Sequence, residues 1–163
     1  MTAFIVIFIT LSLMGSALWV LPSKKERHRM DLRMQARKLG LVVQLTSIEL
    51  PDKWDKSKER YKVVAYSFYR VKALASLPEV IWLLPYEVWK YQVVGEGWWS
   101  SDTISLEESS IKTLEKSGAI LKAIKITPES VSLYWNEVAD EQELEELAKM
   151  LFSLTEISSV LNK

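Results

Sequence analysis

The rhythm of apolar and polar positions takes three forms along this chain. From Thr2 to Leu21 (TAFIVIFITLSLMGSALWVL) twenty positions pass without a charge. An α-helix of that length rises roughly 30 Å, the thickness of a bilayer's hydrocarbon core. A buried helix of a soluble domain is rarely apolar on every face for so long. The segment reads as a transmembrane anchor spanning residues 1–22. A cleaved signal peptide is the rival, since Gly15-Ser16-Ala17 supplies small residues. Such peptides carry a basic stretch before the apolar run, whereas here it follows. Ser12 and Ser16 give a small-xxx-small spacing, a weak sign of a helix-contact face.

The second rhythm is polar and basic. Pro22 interrupts the chain, and Ser23-Lys24-Lys25-Glu26 has the form of a capping box. A helix is expected to about Leu39, with Gly40 just beyond its end. Leu32, Ala36 and Leu39 share one face of it, Met30 and Met34 another, and Arg29, Arg33 and Arg37 recur at every fourth residue. This juxtamembrane helix occupies residues 23–40.

From residue 41 onward the pattern is that of a folded domain, 41–163. Apolar or alternating runs predict strands at Leu41–Leu50, Tyr61–Val71, Val80–Leu84 and Val88–Val94. In the last of these Trp89, Tyr91 and Val93 lie on one side. Tyr61–Val71 is apolar on both faces and should be central. Gly95-Glu96-Gly97 turns the chain and Trp98-Trp99 returns from it. Ser105-Leu106-Glu107-Glu108 predicts a capped helix ending at Gly118. A strand over Ala119–Ile126 and a turn at Thr127–Ser130 come next. Val131, Leu133 and Trp135 then alternate with Ser132, Tyr134 and Asn136 as a half-buried strand. Asp140 caps a final helix from Glu141 to about Val160, with Leu144, Leu147, Ala148, Leu151 and Leu154 as its core stripe. The expected fold is α+β: the transmembrane helix, the basic juxtamembrane helix, then a mainly antiparallel sheet with two helices on one face.

Composition changes this picture in one respect. Lysine plus arginine equals aspartate plus glutamate, 21 each. The balance hides a segregation. Ser23–Gly40 holds seven basic and two acidic side chains, a net of +5, and residues 41–163 carry −5. Cationic residues flanking a span stay on the cytoplasmic side. The expected location is therefore the cell (inner) membrane, single-pass, with the N-terminus outside and the domain in the cytoplasm. The lack of cysteine fits a reducing compartment.

Candidate chemistry is sparse. His28 is the sole histidine, and it sits between two arginines. No Cys–His, Ser–His–Asp or HExxH arrangement occurs, and the five glycines form no phosphate loop. Catalytic, cofactor and metal residues are therefore assigned to no position, and the chain is read as a non-enzyme. Two sets remain. Lys24, Lys25, Arg29, Arg33 and Arg37 suit anionic head groups, at about 1 kcal/mol for each basic residue near the surface. Trp54, Trp98 and Trp99 are candidate partner contacts. Adjacent residues on a strand point to opposite faces, so Trp98 and Trp99 are both buried only where both faces are covered. Nucleic acid is not expected beside an acidic domain.

A span, a basic helix and then a small β-rich domain is similar in layout to the small accessory subunit of the bacterial preprotein translocase, over roughly residues 2–48. The chain lacks the Lys-Gly-Asp element and the glycine pair of that subunit, and its C-terminal domain is longer. No site is carried over. The function expected is a non-catalytic accessory or assembly subunit of a membrane complex, with lipids and another membrane protein as partners and self-association as a further option. The alternative is a membrane-tethered sensor or small-ligand-binding module, which needs an enclosed pocket.

Overall fold

The computed structural model describes residues 1–54 and 57–157. The chain divides into two compact units, Met1–Asp31 and Leu32–Lys163.

The first unit holds α1 (Thr2–Trp19), none of whose residues is buried. By length and composition this helix can cross a membrane, and the same properties suit a signal sequence. Two of its hydroxyls bond back to the helix, Thr10 Oγ1 donating to Val6 O and Ser16 Oγ to Leu13 O. Helix α2 (Lys24–Lys38) follows. The capping box forms at its start: Ser23 N–H donates to Glu26 Oε2 at 2.9 Å, and Glu26 N–H to Ser23 Oγ at 3.3 Å.

The second unit begins with the last turns of α2. Leu32 and Ala36 are fully buried in the main core. Gly40 ends the helix with φ +86°. Gly40 N–H donates to Arg37 O and Leu41 N–H to Ala36 O, the paired bonds of a Schellman turn. Seven antiparallel strands follow: β1 (Val42–Pro51), β2 (Lys58–Tyr69), β3 (Ile81–Leu84), β4 (Gln92–Gly95), β5 (Trp98–Ser100), β6 (Leu121–Ile126) and β7 (Ser130–Trp135). They form one open sheet in the order β1-β2-β7-β6-β3-β5-β4. Helices α3 (Glu108–Ser117) and α4 (Glu141–Thr155) complete the domain.

Period-two alternation sorts the strand residues onto two faces. Val64, Tyr66, Leu133, Trp135, Ile124 and Leu83 join Leu114 of α3 and the α4 stripe Leu144, Leu147, Leu151 and Leu154 in the main core. Trp135 thus lies in the same core as that stripe. The other face builds a second, smaller core from Ile48, Leu50, Val63, Ala65, Leu84, Val88, Ala123 and Tyr134. Because both faces are covered, β7 is not half-buried: Ser132 and Tyr134 are buried as well as Val131, Leu133 and Trp135. Ser132 is accommodated by a 2.6 Å hydrogen bond to Ser67, directly opposite it on β2.

Three further expectations need correction. The strand expected over Val88–Val94 is only Gln92–Gly95. Before it the chain loops: Tyr91 N–H closes a turn on Val88 O, and Lys90 adopts φ +72°. Val88 points into the small core while Trp89 is exposed, so Trp89, Tyr91 and Val93 do not share one strand face. The capping box at Ser105 does not form, because α3 starts later with Glu107 at its N-cap and no side-chain cap. The Glu107 carboxylate instead accepts from Ser153 Oγ of α4 at 3.1 Å, which ties the two helices together. Helix α4 ends at Thr155 rather than near Val160, and residue 160 lies outside the described residues. Its own capping box, Asp140 with Glu143, forms as expected. At its far end the Arg70 guanidinium donates to Thr155 O at 3.0 Å and also reaches the β6–β7 turn at Thr127 O and Pro128 O. A cation there complements the helix dipole.

Candidate functional site

The expected head-group residues all lie on α2, in different settings. Lys24, Lys25 and Arg37 are exposed, and Arg29 is half-buried. Arg33 has a protein partner instead. Its Nε donates to Glu137 Oε1 and its Nη2 to Glu137 Oε2, both at 2.6 Å. Tyr66 OH donates to the same Oε1 at 2.9 Å. This two-pronged geometry is the strong form of an Arg–carboxylate pair. The Glu137 side chain is only 1% exposed and that of Arg33 29%. Glu137 has φ +58°, uncommon for a residue with a side chain. The turn after β7 thus aims the carboxylate inward. The bond from Glu137 raises the Arg33 pKa, and burial together with the same carboxylate raises that of Tyr66. Tyr66 also meets Trp135 edge-on, ring centroids 5.1 Å apart. The cluster bolts the end of α2 to the sheet.

The tryptophans expected at a partner surface separate. Trp98 is buried, and its indole N–H donates to Leu114 O at 2.7 Å under α3. It is a core residue, which corrects its assignment as a contact. Trp99 pairs across from Leu84 and is half-buried on the opposite face, where the small core lies. Trp54 is 87% exposed at the β1–β2 turn. Sequence reasoning missed Trp89, which is 74% exposed, because it had been placed inside a strand. The available signal was Pro85, which with Tyr86 and Glu87 breaks the run before it.

Trp54 and Trp89 belong to two loops that are joined. Tyr86 OH donates to Pro51 O at 2.9 Å. Ile48 and Leu50 from one side and Val88 from the other meet in the small core, with Tyr61, Tyr86 and Tyr91 packed against it. Burial pushes the Tyr86 phenol up to about 12 and raises Tyr91 and Tyr134 in the same sense. Lys122 lies over the Tyr61 ring at 5.7 Å, and Lys90 over Trp89 at 4.5 Å. Pro51, Asp52, Lys53, Glu59, Tyr61 and Tyr86 line a cleft of about 170 Å³ between the loops. Drug-sized ligands occupy roughly 300–1,000 Å³, so this cleft takes at most a small group or a side chain. Among the described residues no group of three or more His, Cys, Asp or Glu side chains could hold a metal ion.

No protein-family model, no curated protein and no solved structure matches this chain. The likeness to the translocase subunit goes no further than the order of its segments.

Proposed function

We propose that the chain is a single-pass membrane protein whose C-terminal domain acts in the cytoplasm as a non-catalytic accessory or assembly subunit of a membrane complex. The observation that carries this reading is α1: eighteen uncharged, mostly apolar residues with none buried, followed directly by the +5 segment. A helix that finds no protein to cover it suits lipid. The exposed Lys24, Lys25 and Arg37 then face anionic head groups. For a protein partner the small-core side of the sheet offers two half-buried aromatics, Trp99 and Trp82, with Lys125 over the Trp82 ring at 5.7 Å. Large aromatics of this kind anchor interfaces.

Two experiments test it. A reporter active only in the cytoplasm, fused after Lys163, should work, and a signal only from a periplasm-dependent reporter refutes the orientation. Purified in mild detergent from its own cells, the full chain should carry a second membrane protein at fixed stoichiometry. Trp99→Ala should release that protein while the fold persists. Purification of the chain alone speaks against the accessory role.

A further inference from the structure

The way α2 enters the domain gives the two exposed tryptophans a direction. Gly40, at the helix end, lies against Phe68 of β2. Arg33, seven residues earlier, is held by Glu137, two residues beyond Trp135, whose partner on β2 is Val64. Going back along α2 is therefore going from the Phe68 end of β2 toward its Lys58 end. That is the end carrying the β1–β2 turn with Trp54, and Tyr86 fastens the Trp89 loop to it. The Leu32–Gly40 stretch therefore lies along the sheet with its earlier residues toward the end that carries both tryptophans.

We infer that Trp54 and Trp89 form a membrane-docking tip that inserts at head-group depth into the bilayer holding α1. This inference rests on the anchor reading. Three observations favour lipid over protein as the occupant. The projecting side chains are tryptophans, each with a lysine neighbour (Lys53, Lys90), the pairing found at membrane–water interfaces. Each makes little contact with its own domain, whereas protein hot spots sit in well-packed central patches. Tethering also holds the tip near the bilayer at high effective concentration, so weak insertion suffices to occupy it. The small core behind the loops, with the Tyr86–Pro51 bond, holds the two loops together, so positioning them costs little entropy on docking. Described charges on the two turns nearly cancel (Lys53, Lys58 and Lys90 against Asp52 and Glu87), so insertion should not require anionic lipid.

The chain has no cysteine, so single cysteines carry a spin label cleanly. The full chain is labelled at Ser57→Cys beside Trp54, at Glu87→Cys beside Trp89, at Lys72→Cys beyond the opposite end of β2, and at Ser12→Cys on α1. Each is reconstituted in vesicles of phosphatidylcholine alone or mixed with phosphatidylglycerol. Accessibility to oxygen and to a water-soluble nickel chelate reads the depth of each label. Expected is a several-fold lower chelate accessibility at positions 57 and 87 than at 72, in both lipids. Trp54→Ala with Trp89→Ala should abolish the difference, and since both side chains are exposed, the fold should survive. Labels at 57 and 87 as wet as the one at 72, with the Ser12 label embedded, overturn the tip and leave the anchor standing. A Ser12 label in water overturns the anchor and the tip with it. Protection at 57 and 87 in native membranes but not in pure lipid assigns the tip to a protein and also overturns the inference.

Discussion

Arg33→Met isolates the contribution of the bond between α2 and the sheet. Methionine retains most of the apolar stem of arginine but removes the two charged hydrogen bonds. Glu137, with a side chain 1% exposed, is left with Tyr66 OH as its one hydrogen-bond donor among the described residues. Stranding a buried charge in this way costs about 3–5 kcal/mol. The Arg33 side chain is 29% exposed, so water can follow into the vacated space. That moves the expectation to about 2–3 kcal/mol, below the range for a fully dry pair. For a domain of this size it corresponds to a fall of roughly 10 °C in Tm. The assay is a near-UV circular dichroism melt of the full chain in detergent, where the edge-on Tyr66–Trp135 pair gives a tertiary signal. Adding Glu137→Gln removes the stranded charge and keeps an acceptor for Tyr66. The double variant should recover at least about 1 kcal/mol, the coupling expected of contacting residues. A loss below about 1 kcal/mol for Arg33→Met, or a double variant no better than the single, refutes the claim that the pair holds α2 in place.

The remaining predictions can be checked on the same material. Leu147→Ala empties a fully buried position of the α4 stripe and should cost about 2–5 kcal/mol. An unchanged melting temperature would mean that α4 is not structural. Burial holds the Tyr86 phenol neutral up to about 12. The folded state therefore binds the Tyr86 proton more tightly than the unfolded chain, where phenols titrate near 10. Stability from this group is full below about pH 10 and is lost as pH rises toward 12, and Tyr86→Phe should flatten that part of an alkaline denaturation curve. Exchanging Lys24, Lys25 and Arg37 for glutamine should weaken binding to anionic vesicles. The difference should fade with salt, because surface charge is screened over about 8 Å at physiological ionic strength. Equal binding by both forms at low salt would remove the electrostatic account of the collar.

Local rules made much of this fold legible. Both working capping boxes, at Ser23 and Asp140, follow a pattern four residues long, and the Gly40 turn requires only a residue tolerant of positive φ. Strand β2 was readable from apolar residues on both of its faces, and β7 from the alternation of Val131, Leu133 and Trp135. What failed were positions settled by distant contacts. Glu107 sits at the N-cap of α3 rather than inside the predicted helix, and its carboxylate accepts from Ser153, forty-six residues away. Trp89 looked like a strand residue until the loop around Lys90 turned it outward. Half of the candidate site was visible for the same reason. Exposed lysines on α2 declare themselves through charge, but nothing local to Asn136-Glu137-Val138 announces that its carboxylate will meet Arg33 across 104 residues.

The burial of Leu32 and Ala36 bears on how this protein can be taken apart. Composition alone invites a cut at Gly40, leaving residues 41–163 as a soluble piece. Such a piece would open a hole in the main core where Leu32 and Ala36 were, and would leave the Glu137 carboxylate buried without its cation. The division between the two units falls at Asp31, inside a continuous helix. A graft of this domain into another chain must therefore bring Leu32–Lys38 along. The basic helix α2 and the domain share a component, and neither is a cassette that can be exchanged without the other.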